Sequence, residues 1–225
     1  VFLARVLGKP RSHLRARPEQ LLQQLQQQHF FDLIKRRAAG EPIAYLTGHR
    51  EFWSLDLMVN PHTLIPRPET ELLVEIALAH IPLQREALVA DLGTGSGAIA
   101  LAVACERPLC RVIATDIDPE ALEVARANGE RLNIRNVEFR EGAWFAPFSD
   151  ERFDVVVSNP PYVAEHDPHL KEGDLPAEPR RALVAGPTGL EMISAIVGEA
   201  PRFLRDQGWL LLEHGYQQAE ATAAL

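Results

Sequence analysis

The chain has 225 residues, 46% of them hydrophobic and 24% charged, and its formal net charge is −8 at pH 7. This composition predicts a soluble globular protein with one large domain or a large and a small one, and its acidic surplus disfavours a phosphate backbone as the main partner. No stretch approaches the ~18 consecutive apolar residues of a transmembrane helix, and residues 1–17 are too basic for a signal peptide, which favours a cytoplasmic location.

The chain ends and the cysteines lead to two further expectations. The sequence opens at Val1 without a methionine and closes at Leu225 within a helical pattern, so we expect both ends of the natural protein to lie outside it. Cys105 and Cys110 flank a predicted helix-to-strand connection, and neither has a histidine or aspartate at metal-ligand spacing. We therefore expect two buried cysteines without a chemical role, and no bound metal.

A small helical domain is predicted at the start of the chain. Residues 18–40 begin at Pro18, end at Gly40 and repeat apolar side chains at near-helical spacing, which predicts an amphipathic helix. The apolar positions of this helix are Leu21, Leu22, Leu25, Phe30, Leu33 and Ile34. Together with the apolar segment 2–7, the helix predicts an N-terminal domain over residues 1–48, incomplete in this sequence.

An α/β domain is predicted for residues 63–225, lacking its last strands. The alternation of apolar and polar residues after Arg50 first predicts a β-hairpin linker over residues 49–62. A helical pattern starts at Thr70, and strand and helix signals then alternate, which is typical of a parallel sheet covered by helices. The predicted strands are residues 88–92, 111–116, 137–140, 153–159 and 209–214. The expected fold class is therefore α/β, a Rossmann-like sheet with a small helical N-terminal domain.

A glycine-rich turn connects the first predicted strand of this sheet to a helix. Residues 91–97 read DLGTGSG, and glycine lets the backbone turn sharply and lets a ligand approach where a Cβ would clash. Asp116 ends the next strand, where its carboxylate can accept hydrogen bonds from ribose hydroxyls. Because Gly93-x-Gly95-x-x-Ala98 with an acid 23 residues after Gly93 also fits a dinucleotide site, a nicotinamide-dependent dehydrogenase stays open.

A second motif, Asn159-Pro160-Pro161-Tyr162, follows the strand 153–159 at the edge where open α/β sheets bind ligands. Its prolines lack N–H donors, so the loop presents the Asn159 side-chain oxygen and the Pro160 carbonyl as acceptors. Two such acceptors can hold the NH2 group of an amide or amine in line for methyl transfer and stabilise the positive charge that develops. Tyr162 would offer its ring for stacking. The motif predicts catalysis by orientation, without a metal or a strong base.

Three further features are candidates for the site. Residues 64–70, LIPRPET, stiffen the start of a helix and either cover a bound cofactor or act as a linker. Residues 178–180, EPR, lie in a predicted long loop over 163–186, and long loops beside a site are often functional. Trp144 follows the third strand, where its ring either lies beside an adenine face or fills the core.

Six segments together resemble the HemK/PrmC family of release-factor glutamine methyltransferases. They are GEPIAYLTGHREFW, LIPRPETELLVE, DLGTGSGAIAL, VSNPPY, EPRRAL and LLLEHG. The resemblance runs from about Gly40 to Leu225 and implies a class I methyltransferase sheet of seven strands, the last two of them beyond this sequence. It also implies S-adenosyl-L-methionine as methyl donor and S-adenosyl-L-homocysteine as product. The implied substrate is the glutamine of the Gly-Gly-Gln motif of peptide chain release factors, methylated on its side-chain amide nitrogen, N5.

The resemblance assigns roles to individual residues. Cofactor binding falls to Gly93, Thr94, Gly95, Ser96, Gly97, Asp116, Trp144 and Asn159, and substrate binding to Asn159, Pro160, Pro161 and Tyr162. Asn159, Pro160 and Tyr162 are the implied catalytic residues. The chain departs from the family at Ala143, where members often carry an acidic residue before the tryptophan, so the way in which adenine is held stays open.

Other functions also stay open on the sequence alone. A nucleic-acid amine methyltransferase acting on adenine N6 or guanine N2 would use the same Asn-Pro-Pro-Tyr motif and predicts basic, aromatic surfaces for a flipped base. This acidic chain offers only the basic clusters at 35–37 and within EPRRAL. A non-catalytic module would bind the cofactor without turnover. We therefore expect release factors as partners, and neither nucleic acid nor a membrane.

Overall fold

The computed structural model describes residues Val1–Leu225, which form a helical N-terminal part, a hairpin and an α/β part. The N-terminal part contains α1 (Phe2–Leu7), α2 (Arg11–Ala16), α3 (Gln24–Ala38) and α4 (Ile43–Thr47), and the hairpin contains β1 (His49–Phe52) and β2 (Leu55–Met58). The remaining elements are α5 (Glu71–His80), β3 (Ala87–Leu92), α6 (Ala98–Glu106), β4 (Cys110–Asp116), α7 (Pro119–Arg131), β5 (Val137–Glu141), β6 (Phe153–Ser158), β7 (Val163–Ala164), β8 (Val184–Gly186), α8 (Glu191–Glu199), β9 (Leu204–Leu212) and α9 (Ala219–Ala223). None of the helices combines the length and apolar character needed to cross a membrane.

Helix α3 is shorter than the helix predicted for residues 18–40. It begins after Gln23, because the side chain of Gln26 accepts a hydrogen bond from the Gln23 backbone N–H at 3.0 Å and so caps the first turn. Of the predicted apolar positions only Leu33 is buried, and it packs with residues of α1 and α4. Leu21 and Leu25 are 91% and 78% exposed. The predicted start at Pro18 was wrong, since the helix begins at Gln24 and Leu21 lies outside it.

The central sheet has five parallel strands in the order β5-β4-β3-β6-β9, which confirms the predicted fold class. The first four strands lie within one residue of their predicted bounds. The last strand starts five residues earlier than predicted, at Leu204, and ends at Leu212 rather than His214. Strand β3 lies between β4 and β6, so the chain leaves β3 toward one side and later returns on the other. The carboxyl ends of β3, β4 and β6 therefore border a crevice of the type in which open sheets bind ligands.

The core lies on both faces of this sheet. On one face α6 is buried from Ala98 to Ala104, because α5 and the sheet pack against it and Gly129 of α7 lies beside Leu101. On the other face four phenylalanines pack together, with the rings of Phe145 and Phe203 stacked at 4.7 Å between centroids. Cys110 is buried in β4, whereas Cys105 is exposed in the last turn of α6. The expectation that both cysteines are buried was wrong for Cys105, since the buried part of α6 ends at Ala104.

The connection over residues 163–186 has more structure than the long loop predicted there. Its two ends pair as the short parallel strands β7 and β8, and three short 3-10 turns lie between them. Pairing of the two ends closes the connection into a compact unit. This unit rests on the carboxyl edge of the sheet, next to the Asn-Pro-Pro-Tyr motif.

Candidate functional site

The glycine-rich turn after β3 is held against the end of β4. The backbone N–H groups of Gly93 and Thr94 both donate to the carbonyl of Thr115, at 2.8 and 2.9 Å. Gly93, Gly95 and Gly97 all have positive φ, at 73°, 57° and 83°, a region that side chains with a Cβ rarely adopt. The sequence needs its three glycines because the turn requires left-handed backbone at each of these positions.

Asp91 lies at the start of the turn, and its fully buried side chain accepts hydrogen bonds from residues of the turn and of α6. The Thr94 hydroxyl donates to its Oδ2 at 2.6 Å, and the backbone N–H of Ala100 donates to the same oxygen at 3.0 Å. The other oxygen, Oδ1, is buried without a partner in the protein. Burial raises the pKa of Asp91 to about 7, although both hydrogen bonds oppose this rise.

Asp91 should make the stability of the protein fall as the pH rises. Its folded-state pKa of about 7 lies above that of an unfolded aspartate, so the unfolded state loses its proton first, and stability falls until the pH passes about 7. Asparagine does not titrate. The free energy of unfolding of Asp91→Asn, taken relative to that of wild type, should therefore be roughly 2–3 kcal/mol higher at pH 8 than at pH 5. Urea unfolding of both proteins at the two pH values measures this difference, and equal differences at both would contradict the prediction.

Asp116, at the end of β4, lies opposite the glycine turn. Its Oδ2 accepts from the Gly95 N–H at 2.8 Å, and its Oδ1 accepts from the Asp118 N–H at 2.9 Å. Burial raises the pKa of Asp116 above its usual value, while these backbone N–H groups lower it. Each carboxylate oxygen keeps a further lone pair, so Asp116 can still accept hydrogen bonds from ligand hydroxyls.

Asn159 follows the end of β6 and is oriented by the segment that precedes α5. Its Nδ2 donates to the Thr70 hydroxyl oxygen at 3.1 Å, which leaves the Asn159 Oδ1 for a ligand. The Pro160 carbonyl likewise accepts no hydrogen bond within the protein. At the base of this loop, the Ser158 hydroxyl donates to the Leu92 carbonyl at 2.6 Å and ties the end of β6 to the end of β3. The motif therefore presents two free oxygen acceptors beside the glycine turn.

Two cavities meet at Asn159. The larger has a volume of about 290 Å³, and the predicted residues that line it are Gly93, Thr94, Gly95, Ser96, Asp116, Trp144, Asn159 and Pro161. The smaller has a volume of about 200 Å³ and is lined by Asn159, Pro160 and Tyr162 among others. Gly97 lines neither cavity, because it faces the core, where an added Cβ would come within 3.1 Å of Leu101.

Trp144 forms part of the wall of the larger cavity rather than of the core alone. A Cβ added to Gly93 would lie 3.3 Å from the Cζ3 atom of its ring, so the indole packs directly on the glycine turn. The Trp144 carbonyl accepts from the Thr115 hydroxyl at 3.1 Å, which fixes the loop after β5 against β4. Ala143 also lines this cavity and supplies no polar side chain there.

The segments LIPRPET and EPR, which the sequence left without a definite role, contact each other at the site. The Glu178 side chain is buried; it accepts from the Ile65 N–H at 3.0 Å and forms an ion pair with Arg67. Arg67 lines both cavities. A buried carboxylate paired with arginine and a backbone N–H is well satisfied, so this contact holds the two segments together over the crevice.

Sequence reasoning missed a group of residues at the outer rim of the larger cavity. Arg181 lies 3.3 Å and His62 lies 3.8 Å from Oδ2 of the buried Asp118. His62, Asp118 and Glu120 have the ligand types of a metal site, but the Arg181 guanidinium already places positive charge at this carboxylate. Arg181 belongs to the EPRRAL segment, which could have identified it, whereas nothing in the sequence around His62 marks it.

Two family models match the chain: "PrmC N-terminal domain" over residues 1–48 and "Methyltransferase small domain" over residues 69–174. The release factor glutamine methyltransferase of Salmonella typhimurium is 53% identical over 225 residues, which are 100% of this chain and 81% of the relative. The protein of that name from Pseudomonas aeruginosa is 55% identical over 225 residues, again 100% of this chain and 81% of the relative.

A comparison of structures agrees with the comparison of sequences. The chain resembles the crystal structure of a methyltransferase from Pyrococcus furiosus, with a TM-score of 0.56 and 22% sequence identity. The match covers 85% of this chain and 83% of that chain. At this identity the similarity concerns the fold, which is that of a methyltransferase.

Proposed function

Because the chain belongs to the release factor glutamine methyltransferase family, we propose that it methylates the side-chain amide nitrogen of the glutamine in the Gly-Gly-Gln motif of release factors. The observation that carries this proposal is that Asn159 lines both cavities while its side-chain oxygen accepts no hydrogen bond within the protein. The larger cavity suits a methyl donor, and the smaller cavity suits a single amino-acid side chain. A translation factor as substrate places the reaction in the cytoplasm.

S-adenosylmethionine fits the larger cavity on two observations. Gly95 lines it, and a Cβ at Gly95 would meet no protein atom within 4 Å, so this glycine leaves open space on the cavity side. Asp116 offers free lone pairs for ribose hydroxyls, and Trp144 offers a ring face near adenine. When bound, S-adenosylmethionine supplies an electrophilic methyl group, whose bond to sulfur breaks as its bond to the amide nitrogen forms.

The residues of the Asn-Pro-Pro-Tyr motif act by holding the amide. An amide nitrogen is a poor nucleophile because its lone pair is delocalised, so its direction toward the methyl group decides the rate. Asn159 Oδ1 and the Pro160 carbonyl accept its two N–H bonds and stabilise the positive charge that develops on nitrogen. One proton then leaves to water, since the alkylated nitrogen is acidic, and no protein base is needed.

The smaller cavity favours a glutamine over a nucleotide. Arg67 is the one cation among its lining residues, and Glu178 already neutralises it. The other lining side chains include the apolar Leu64, Val163 and Leu175. A nucleotide would bring a phosphate that needs free lysine or arginine, whereas a glutamine flanked by glycines brings a narrow, uncharged group.

Methyl transfer from labelled S-adenosylmethionine to a purified release factor tests the proposal. We expect label in the intact factor and none in the same factor with its Gly-Gly-Gln glutamine changed to alanine. Digestion of the labelled factor and mass spectrometry would place the methyl group on the glutamine side chain. Label that appears only in RNA or DNA would overturn the proposal in favour of a nucleic-acid amine methyltransferase.

A further inference from the structure

Both the side-chain hydroxyl and the backbone carbonyl of Tyr162 form hydrogen bonds with residues that follow β9. We call residues 213–218 the β9 tail. The Tyr162 hydroxyl donates to Glu213 Oε1 at 3.1 Å, and Gln218 Nε2 donates to the Tyr162 carbonyl at 3.0 Å. The tail is 51 residues from Tyr162 in the chain at its nearer contact, so the sheet itself brings the two together.

The backbone of Tyr162 is fixed by a small network around Gln218. The Gln218 Nε2 also donates to the Gly189 carbonyl at 3.2 Å, and its Oε1 accepts from the Gly215 N–H at 2.8 Å. A Cβ at Gly189 would lie 2.6 Å from the Tyr162 carbonyl oxygen, which shows how closely these backbones pack. The Tyr162 carbonyl therefore has little freedom to move.

The ring of Tyr162 is fixed by Glu213. Burial raises the pKa of the phenol to about 12, so the hydroxyl stays protonated and donates at physiological pH. The hydroxyl is the one hydrogen-bond partner of the Glu213 side chain, whose second oxygen, Oε2, is buried without one. The Tyr162 hydroxyl likewise has Glu213 as its one partner, so this hydrogen bond alone ties the end of the ring to the β9 tail.

We propose that Glu213 is a positioning residue, which sets the orientation of the Tyr162 ring in the smaller cavity. The proposal rests on the function proposed above, in which the substrate amide stacks on this ring. Glu213 lines neither cavity, whereas Tyr162 lines the smaller one, so Glu213 acts on the substrate only through the tyrosine. A ring released from Glu213 would turn about its side-chain bonds, and the amide plane would tilt away from the line of methyl transfer.

A double-mutant cycle with a release factor as substrate tests this role. Tyr162→Phe and Glu213→Ala should each lower kcat about 10- to 100-fold, because small misplacement in the site costs that much. The double variant should be no slower than the slower single variant, since both changes remove the same hydrogen bond. Glu213→Gln keeps an acceptor oxygen and should restore most of the activity. The cofactor Kd should be unchanged in all of them.

Tyr216→Phe is the matched control, because it removes a hydroxyl from an 84% exposed ring in the same tail. Losses that multiply in the double variant, or a Glu213→Gln enzyme as slow as Glu213→Ala, would overturn the proposal. If Glu213→Ala does not fold, the Tyr162→Phe variant still tests the proposal, because it removes the same hydrogen bond. A wild-type kcat in Tyr162→Phe would overturn the proposal as well. A wild-type enzyme that does not methylate release factors would instead refute the proposed function.

Discussion

The Asn159→Ala enzyme should lose on the order of 10²- to 10³-fold in kcat, which is the usual cost of removing one preorganised group that stabilises developing charge. Asn159 Oδ1 is one of two free acceptors at the junction of the cavities, and alanine leaves the Pro160 carbonyl as the other. The amide would then rotate about a single hydrogen bond. Single-turnover methylation of a release factor at saturating cofactor measures the loss without interference from product release.

Asn159→Asp separates the acceptor role from other effects of the substitution. Aspartate keeps an oxygen at the Oδ1 position, and the Thr70 hydroxyl can donate to its second oxygen in place of accepting from Nδ2. We expect Asn159→Asp to be faster than Asn159→Ala by about 10-fold or more, because the lost acceptor is restored. Equal rates for these two variants, or an Asn159→Ala enzyme near wild-type rate, would show that the acceptor is not what drives catalysis.

The middle of the central sheet was predictable because β3, β4 and β6 are buried between helices on both faces and contain apolar runs. Strand β6, for example, contains three consecutive valines, 155–157, whose side chains are fully buried. The N-terminal helix was less predictable for the opposite reason. The spacing of apolar residues over 18–40 predicted an apolar helix face, but the side chains of Leu21 and Leu25 are exposed. Periodicity shows which side chains share a face, and it does not show whether another element covers that face.

The site was predictable where one short segment carries the chemistry. The glycine turn needs left-handed backbone at fixed positions, and the Asn-Pro-Pro-Tyr loop removes donors by its own composition, so both are visible in a local window. The ion pair between Arg67 and Glu178 and the contact between Tyr162 and Glu213 join segments 111 and 51 residues apart. No local pattern specifies such pairs, because the fold creates them.

Gly95→Ala should weaken cofactor binding while leaving the protein folded. An alanine at φ 57° costs about 1–2 kcal/mol in the left-handed region, but its Cβ would clash with no protein atom. The same Cβ would occupy space at the wall of the larger cavity, where overpacking against a ligand costs about 1–3 kcal/mol. We therefore expect the Kd for S-adenosylmethionine to rise about 10- to 100-fold, measured by titration calorimetry.

Gly48→Ala is the matched control for this change. Gly48 ends α4 with φ 74°, an added Cβ there also meets no protein atom within 4 Å, and the residue lines neither cavity. Both variants should therefore lose a similar amount of stability in urea unfolding, because both put alanine in the same strained backbone region. Only Gly95→Ala should lose affinity for the cofactor. An equal loss of affinity in both would mean that general destabilisation weakens binding, and an unchanged Kd in Gly95→Ala would place the cofactor away from the glycine turn.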